Sequence, residues 1–292
     1  MAALKPDQIA GFRDQGYLVV AGAVTGDALA ALRRELAGWV EESRAHEGNY
    51  GETFDHRHRF DLEAGHSAAA PRLRRVNNPA EVSEAYHAAT HQSTVPDMVA
   101  DLIGPSIKFH HCKINLKLPG AATRVGYHQD FSYTPHTNDD LVTALLMLDD
   151  MTLENGCLMA VPGSHREGQV SLWAGDRFTG ETPADLTGEI AARALPVTGE
   201  AGDLCLMHTS LMHGSTANAS SRPRGLFITV YSAADAFPLC PSPLPNRFEG
   251  EVVRGEASRV ARLAGGRVEL PPPYRSTSFF EVQGQKSAAA ED

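Results

Sequence analysis

Between residues 107 and 231 the chain carries a series of short apolar segments, and most of them are not separated by helical patterns. The longest, residues 141–148, is almost continuously apolar, which is typical of a strand buried on both faces. Short strands without intervening helices favour a sandwich or jelly roll over a parallel sheet. The predicted strands are residues 107–118, 141–148, 157–161, 195–197, 203–207 and 225–231.

The segments before these strands predict helices. Residues 12–20 predict a helix end, a glycine stop and a short strand. A helix capped by Thr25 is predicted from Gly26 to about His46, because leucines and a valine recur there at helical spacing. Residues 47–80 are polar and are predicted to be irregular, whereas residues 79–103 predict a helical stretch that ends at a Gly-Pro turn.

The segments after the first strands are less regular. Residues 165–194 are too many for a hairpin loop and predict a lid or a binding element. No linker pattern divides the chain, so we predict a single, mainly β domain with flanking helices over residues 1–292. Within it, residues 1–107 are expected to form a mostly helical support, residues 108–235 the β core, and residues 236–292 a C-terminal extension.

Charge and composition exclude several kinds of partner. A net charge of −10 argues against nucleic acid, which is bound through basic surfaces. No segment is apolar over the roughly 20 residues needed to cross a bilayer, and residues 1–16 lack the apolar part of a secretory signal. The 4 cysteines form no C-x-x-C pair, which indicates reduced thiols. We therefore expect a cytoplasmic protein that binds neither nucleic acid nor membranes; the sequence contains no signal for its oligomeric state.

A metal site is suggested by His128 and Asp130. Residues i and i+2 of a strand project from the same face, so both side chains can reach one ion. Together with a distant histidine they make the 2-His-1-carboxylate set that binds Fe(II) and leaves positions open for other ligands. His208 and His213 both lie near a later strand and can supply the second imidazole. An isolated His-x-Asp is common by chance, so the residues around the distal histidine decide the matter.

Arg224 follows His213 by eleven residues. A guanidinium group forms a planar, bidentate pair with a carboxylate, which suits the distal carboxylate of 2-oxoglutarate. Ser215 lies on the same face as His213 if the strand continues, and its hydroxyl can donate to the same carboxylate. The alternative is a surface loop with a solvated arginine, and the upstream His-x-Asp pair argues against it.

Several segments together resemble a known family. They are Tyr-His-Gln-Asp at residues 127–130, the segment ENGCLMAVPGSH at 154–165, and GDLCLMHTSLMHGS at 202–215 followed by Arg224. With residues 12–20 they resemble the phytanoyl-CoA dioxygenase family, over residues 12 to about 235. The resemblance implies a double-stranded β-helix core (jelly roll, cupin-like), Fe(II), the co-substrate 2-oxoglutarate and O₂. It implies hydroxylation of an unactivated C–H bond of a small molecule, with succinate and CO₂ as co-products.

The resemblance also selects between neighbouring candidates. It places the second iron histidine in the His-Gly-Ser triplet, which favours His213 and leaves His208 as a core or supporting histidine. The interval of eleven residues favours Arg224, and Arg222 is then expected to face solvent.

Further roles follow from the same resemblance. It implies co-substrate contacts from Asn115, Lys117 and Gln129. Some relatives carry an aromatic residue against the co-substrate at the position of Leu146, so one contact is expected to be missing here. Relatives that halogenate replace the iron carboxylate with a small residue. Asp130 therefore indicates hydroxylation, or desaturation or cyclisation through the same chemistry.

Candidates for substrate binding come from two regions. One group follows the iron carboxylate and consists of Phe131, Tyr133 and His136. The other group is basic and lies ahead of or within the first core strand, at Arg75 and Lys113. The aromatic residues can instead pack beneath residues 165–194, and the basic cluster at residues 72–75 can be an ordinary solvated face. Phe279 and Phe280 are expected either to close the pocket or to dock the C-terminal segment.

Two other classes of function are compatible with such a core. A cupin-like isomerase or lyase would use the metal only as a Lewis acid, and it would not need the carboxylate clamp of Ser215 and Arg224. A non-catalytic binding module would not need the complete set of three metal ligands.

Overall fold

Strands form the centre of the fold in the computed structural model of the chain, which describes residues 2–273 and 278–285. Helices flank the strands, and in these residues none is long and apolar enough to span a membrane. Short 3₁₀ turns cover Pro79–Glu81, Asp130–Ser132 and Ser164–Arg166. The α-helices are α1 (Pro6–Gln15), α2 (Gly26–Ser43), α3 (Glu84–His91), α4 (Val95–Ile103), α5 (Ala184–Arg193) and α6 (Phe279–Val282).

The strands form two main antiparallel sheets and one small hairpin. The strands are β1 (Tyr17–Val20), β2 (Tyr50–Glu52), β3 (His58–Leu62), β4 (Leu73–Asn77), β5 (Ile107–Lys117), β6 (Val125–His128), β7 (Leu141–Met147), β8 (Leu158–Ala160), β9 (Trp173–Ala174), β10 (Arg177–Phe178), β11 (Leu195–Val197), β12 (Leu204–His208), β13 (His213–Ser215), β14 (Arg224–Ala233) and β15 (Val252–Arg254). The large sheet has the order β1-β12-β7-β14-β5-β4-β3-β2, with β15 also paired to β5. The smaller sheet has the order β11-β8-β13-β6, and β9 pairs with β10.

The two sheets pack face to face because the central strands are apolar on both sides. Leu145 and Ile228 of the large sheet share a buried cluster with Leu158 of the smaller sheet. Leu146 and Phe227 point the other way, into a cluster formed with helices α2, α3 and α4. Alternate residues of β7 therefore serve two cores, which explains the continuous apolar run. The result is a double-stranded β-helix with flanking helices, and the predicted fold class is confirmed.

The prediction that residues 47–80 are irregular is wrong, because this segment contributes β2, β3 and β4 to the large sheet. Its charged residues are paired inside the protein. The Arg74 guanidinium lies 2.6 Å from Asp61 Oδ1, and the Arg59 guanidinium lies 2.9 Å from Glu81 Oε2. Buried ion pairs give a strand the composition of a loop, since polarity alone does not report burial. The N-terminal segment, predicted as a mostly helical support, thus also extends the sheet.

The helical stretch predicted at residues 79–103 is interrupted twice. A 3₁₀ turn comes first, and Ser83 then adopts an extended backbone with φ −139°. Its hydroxyl accepts a hydrogen bond from the backbone N–H of Tyr86 at 3.3 Å, which caps α3. Pro96, in the first turn of α4, marks the second start.

Two elements cover β6 from outside. Residues 165–194, predicted as a lid or binding element, contain the β9–β10 hairpin and α5, and the Thr182 N–H donates to the Tyr127 carbonyl at 2.8 Å. Gln283 holds the C-terminal helix α6 beside residues 165–194. The Gln283 side chain accepts a hydrogen bond from the Gly126 N–H at 3.0 Å and donates one to the Gly180 carbonyl at 2.7 Å. Both elements therefore lie over the strand that ends in His128.

Candidate active site

His128 and His213 face each other across two neighbouring strands. His128 ends β6, His213 begins β13, and the two are direct partners in the antiparallel register. Gln129 keeps an extended backbone, so Asp130 projects to the same side as His128. Asp130 Oδ1 lies 3.4 Å from His128 Nε2 and 3.7 Å from His213 Nε2. One ligand atom from each of the three residues lies within 4.8 Å of the others.

Hydrogen bonds orient all three side chains toward a common ion. His128 Nδ1 donates to the Gly126 carbonyl at 2.8 Å, and His213 Nδ1 donates to the Leu211 carbonyl at 2.9 Å. Each Nε2 is therefore left as the unprotonated nitrogen that a metal requires. Two imidazole nitrogens and one carboxylate oxygen are the donor set of non-haem Fe(II) oxygenases. The residues present thus fit Fe(II).

Burial and mutual charge keep this set in its ligating state. Burial, with His128 as a close neighbour, lowers the pKa of His213 to about 4. Burial alone would raise the pKa of Asp130, but His213, His128 and Lys113 together hold it well below its usual value. At neutral pH the site therefore offers a neutral imidazole from His213 and an ionised carboxylate.

Thr143 is a supporting residue that the sequence reasoning missed. Its hydroxyl donates to Asp130 Oδ2 at 2.7 Å, which leaves Oδ1 directed at the two imidazoles. A sequence signal exists, because Thr143 is the one polar residue of the apolar strand β7. Burying a hydroxyl without a hydrogen bond costs free energy, so a hydrogen-bond partner for Thr143 was to be expected.

We predict that Thr143→Val weakens Fe(II) binding by about 10- to 100-fold, the usual effect of losing a group that orients a metal ligand. Fe(II) titration of the metal-free protein measures this affinity. Thr209→Val is the matched control, because the Thr209 hydroxyl is also buried and has no hydrogen-bond partner in the described part of the chain. Equal affinity in wild type and Thr143→Val would show that the carboxylate needs no such support.

A small pocket of about 40 Å³ runs from the three ligands toward Arg224 and Ser215. Arg224 begins β14 and is only 3% exposed, yet its buried Nε has no hydrogen-bond partner in the described residues. Burial lowers its pKa to about 10, so the group stays cationic at neutral pH. A buried guanidinium whose Nε has no partner in the described residues, with a hydroxyl lining the same pocket, is suited to a ligand carboxylate.

Lys117 acts on this pocket through Ser215. The residue pairs with Arg224 across β5 and β14, but its ammonium group donates to Ser215 Oγ at 2.6 Å and to the carbonyl of Thr216. Lys117 does not itself line the pocket, whereas Asn115 does. Its hydrogen bond fixes the position of the serine hydroxyl beside Arg224.

Comparison with known proteins decides which family this site represents. The family model described as "Phytanoyl-CoA dioxygenase (PhyH)" matches residues 12–226. The chain belongs to the phytanoyl-CoA dioxygenase family. The predicted family is therefore confirmed. The matched range contains the three metal ligands together with Ser215 and Arg224 of the small pocket.

Two curated proteins and one crystal structure are similar to this chain at 21–29% sequence identity. A probable alpha-ketoglutarate-dependent hypophosphite dioxygenase from Stutzerimonas stutzeri is 29% identical over 93% of this chain and 94% of its own length. An ectoine dioxygenase from Sphingopyxis alaskensis is 25% identical over 80% of this chain and 77% of its own. The crystal structure of EctD from S. alaskensis in its apo form superimposes with a TM-score of 0.67, at 21% identity, over 88% of this chain and 89% of that one.

The enzyme class follows from the family and these relatives. The similar curated proteins are named as dioxygenases or hydroxylases, and the His-Asp-His set is present here. This family member is an iron- and 2-oxoglutarate-dependent dioxygenase.

Gln129, predicted as a co-substrate contact, has a different role in the structure. Its amide donates to the carbonyls of Gly168 and Ser210 at 2.9 and 2.7 Å and accepts from the Val170 N–H at 2.8 Å. The side chain is 1% exposed and does not line the pocket. Because residue 129 lies between two residues that project toward the metal, it points away and ties residues 168–170 to the core.

Leu146 was expected to leave a gap against the co-substrate. The structure corrects this, because Leu146 points into the helical core and Leu145 is the pocket residue. The strand alternation places residue 143 and residue 145 on the metal side.

A second, larger cavity of about 300 Å³ opens on the other side of Asp130. Of the predicted substrate-binding residues, Arg75, Lys113 and Tyr133 line it. Phe131 and His136 do not. Phe131 packs with Leu141 and Val230 in the core, and His136 is buried with its Nδ1 donating to the Thr134 carbonyl at 2.8 Å.

The competing residues lie away from the site. His208 Nδ1 accepts from the Ser210 N–H at 3.0 Å, and its Nε2 is 4.0 Å from Asp139. Arg222 has a side chain 62% exposed, with its guanidinium 3.9 Å from Asp150. The geometry therefore brings together His213 and Arg224 rather than these two.

Proposed function

We propose that the protein hydroxylates a C–H bond of a small organic substrate, with Fe(II) held by His128, Asp130 and His213 and with 2-oxoglutarate as co-substrate. One observation carries the proposal: the buried Arg224 guanidinium, whose Nε has no partner among the residues that the structure describes, lines the pocket that begins at the metal ligands. Leaving such a cation unpaired is costly, and a co-substrate carboxylate would compensate it.

The protein groups have separate roles in this reaction. Bound iron would supply the chemistry that activates O₂. Arg224 and Ser215 hold the distal carboxylate of the co-substrate, with Lys117 fixing the serine hydroxyl. Asn115 lines the same pocket and completes its polar wall. Phe279 and Tyr133 lie over the metal side of the cavity, with ring centroids 5.6 Å from that of His128, and they exclude water from it.

The proposal extends to the surroundings of the enzyme. The similar enzymes are named for small molecules, such as L-proline and ectoine, and a chain with net charge −10 is a poor ligand for nucleic acid. Cys112, Cys157 and Cys205 are buried free thiols, in keeping with a reducing compartment. We therefore place the enzyme in the cytoplasm, acting on a metabolite.

Oxidation of hypophosphite is the alternative that the near full-length similarity to a probable hypophosphite dioxygenase favours. The size of the larger cavity argues for a bulkier substrate. A volume of about 300 Å³ has room for on the order of ten water-sized groups, whereas hypophosphite has three heavy atoms.

Release of succinate from 2-oxoglutarate, measured with Fe(II), ascorbate and a panel of metabolites that includes hypophosphite, tests the proposal. We expect slow release without substrate, stimulation by an organic member of the panel, and a hydroxylated product. His128→Ala is the control and should release none. A wild-type protein that binds no Fe(II) and behaves like His128→Ala with every compound would refute the oxygenase function. Stimulation by hypophosphite alone would select the alternative.

A further inference from the structure

Two cations lie where the small pocket and the larger cavity meet. Arg75 of β4 and Lys113 of β5 line both spaces, together with Asp130 and Phe279. Their strands are neighbours, with Arg75 paired to Asn115 in the register. Both cations thus face the space next to the metal ligands.

The Asp130 carboxylate attracts both cations and Asp61 attracts Arg75, but in the described residues neither cation forms an ion pair. Arg75 is 4% exposed; its Nε donates to Asn115 Oδ1 at 2.9 Å, but its buried Nη2 has no partner in the described residues. The described residues also offer the Lys113 ammonium no hydrogen bond or ion pair, and its aromatic neighbour is the Phe279 ring at 6.0 Å. Two adjacent cations that share the carboxylate of a metal ligand are incompletely compensated in a partly dry site.

The acidic residues around the cavity are already engaged elsewhere. Asp61 accepts from the Arg74 guanidinium at 2.6 Å and from the Ser278 hydroxyl. Asp55 accepts from Arg57 Nε at 2.5 Å. Glu281 accepts from the Ser278 N–H at 3.2 Å, as part of the α6 cap. Asp130 is directed at the metal. In the inner part of the cavity, Arg75 and Lys113 therefore stand against one carboxylate, that of the metal ligand Asp130.

Helix α6 shields this positive site from solvent. The Arg75 guanidinium carbon lies 4.8 Å from the centroid of the Phe279 ring and 4.5 Å from that of Phe280. Gln283 fastens the helix to Gly126 and Gly180 through hydrogen bonds. Aromatic faces cover one side of the guanidinium and leave its N–H edge for a ligand. Exclusion of water strengthens pairing with an anion.

We propose that the substrate carries an oxyanion, which Arg75 and Lys113 bind beside the metal under the cover of Phe279. This inference rests on the proposed function and names the substrate class of the same cavity. The charge can come from a carboxylate or from a phosphorus oxyanion, and the cavity volume favours a carboxylate on an organic molecule. The distal carboxylate of 2-oxoglutarate has its own guanidinium in Arg224, so Arg75 is left for the substrate.

The test uses the visible absorption band of the complex of protein, Fe(II) and 2-oxoglutarate, recorded without oxygen. Propanoate, hypophosphite and the neutral propanamide are titrated as probes. We expect propanoate to shift the band with saturation and propanamide to leave it unchanged. A shift of the band with hypophosphite but not with propanoate would show that the charge of the substrate comes from a phosphorus oxyanion. A response to propanamide equal to that of propanoate, or no response to either anion, would overturn the inference.

Variants separate substrate binding from co-substrate binding. Arg75→Gln should weaken the binding of propanoate by about 10- to 100-fold, since hydrogen bonds to charged groups contribute strongly, and Arg75→Lys should recover part of it. The affinity for 2-oxoglutarate should fall much less than that for propanoate, because Arg75 reaches the co-substrate wall through Asn115 whereas Arg224 is the guanidinium at the other end of that pocket. Arg57→Gln is the matched control, a cavity guanidinium already paired with Asp55. A loss of the band that additional 2-oxoglutarate restores would show that Arg75 serves the co-substrate, contrary to the inference. Absence of the band in wild type would instead refute the proposed function.

Thermal unfolding gives a readout that does not depend on turnover. Lys113→Met removes a buried cation that forms no ion pair in the described residues and keeps the side-chain volume, so we expect the Tm to rise by about 2–4 °C. A lowered Tm would mean that Lys113 has a structural role and would contradict its assignment as an anion ligand.

Discussion

His213→Ala is expected to abolish stoichiometric Fe(II) binding and to lower succinate release at least about a hundredfold, because even groups outside the ligand set typically change metal affinity by 10- to 100-fold. Only His128 and Asp130 would remain to hold the ion. Metal analysis after equilibration with Fe(II), followed by the succinate assay, measures both effects. Unfolding of the metal-free variant should resemble that of the metal-free wild type, since no ion contributes in either.

His208→Ala provides the matched comparison. The residue lies in the same part of the chain, but its Nδ1 is engaged by the Ser210 N–H and its Nε2 lies 4.0 Å from Asp139. We expect normal iron content and turnover within about threefold of wild type, as for a substitution outside the site. If His208→Ala lost the metal while His213→Ala retained it, the ligand assignment would be reversed.

The second large effect is expected for Arg224→Met. It should raise the KM for 2-oxoglutarate by about 100-fold or more, because truncating one partner of a buried charge pair typically costs about 2–5 kcal/mol. Iron binding should be retained, since Arg224 lies at the other end of the pocket from the metal ligands. Steady-state kinetics with varied 2-oxoglutarate and an Fe(II) titration separate these quantities.

Arg222→Met is the control for Arg224→Met. Its exposed guanidinium, 3.9 Å from Asp150, should contribute little, and the KM should stay within about twofold. A larger effect from Arg222→Met than from Arg224→Met would show that the co-substrate uses the surface arginine.

Unpartnered polar atoms identify both halves of the site. In the described residues, the guanidinium atoms that are buried without a hydrogen bond are Nε of Arg224 and Nη2 of Arg75. Proteins satisfy nearly all buried polar groups, so such exceptions require an explanation. Arg224 lies at the far end of the small pocket, and Arg75 lies where that pocket meets the larger cavity. This arrangement fits one bound anion for each guanidinium.

The sequence was sufficient for the features that depend on local pattern. The central strands could be predicted because β7 and β14 are mostly apolar, and the metal set could be predicted because the spacing of His128 and Asp130 gives two ligands on one face. His213 and Arg224 were selected by a family pattern. Their position opposite β6 and β5 depends on strand register, which the sequence alone does not contain.

Other features depended on long-range pairing and were missed. Strands β3 and β4 contain arginines that are buried only because Asp61 and Glu81 meet them in the folded chain. Gln129 was assigned to the co-substrate through the family resemblance, although strand alternation points it away from the metal ligands. The contribution of Phe279 could not be decided, because 130 residues lie between Leu148 and Phe279 and no periodic pattern relates α6 to the core.

An anaerobic titration of the protein with Fe(II) and 2-oxoglutarate, followed by visible absorption, shows directly whether this site binds both. We expect one Fe(II) bound per chain and a new absorption band that saturates with 2-oxoglutarate, requires His213 and is weakened in Arg224→Met. Tight Fe(II) binding without any effect of 2-oxoglutarate, or with equal effect in Arg224→Met, would contradict it.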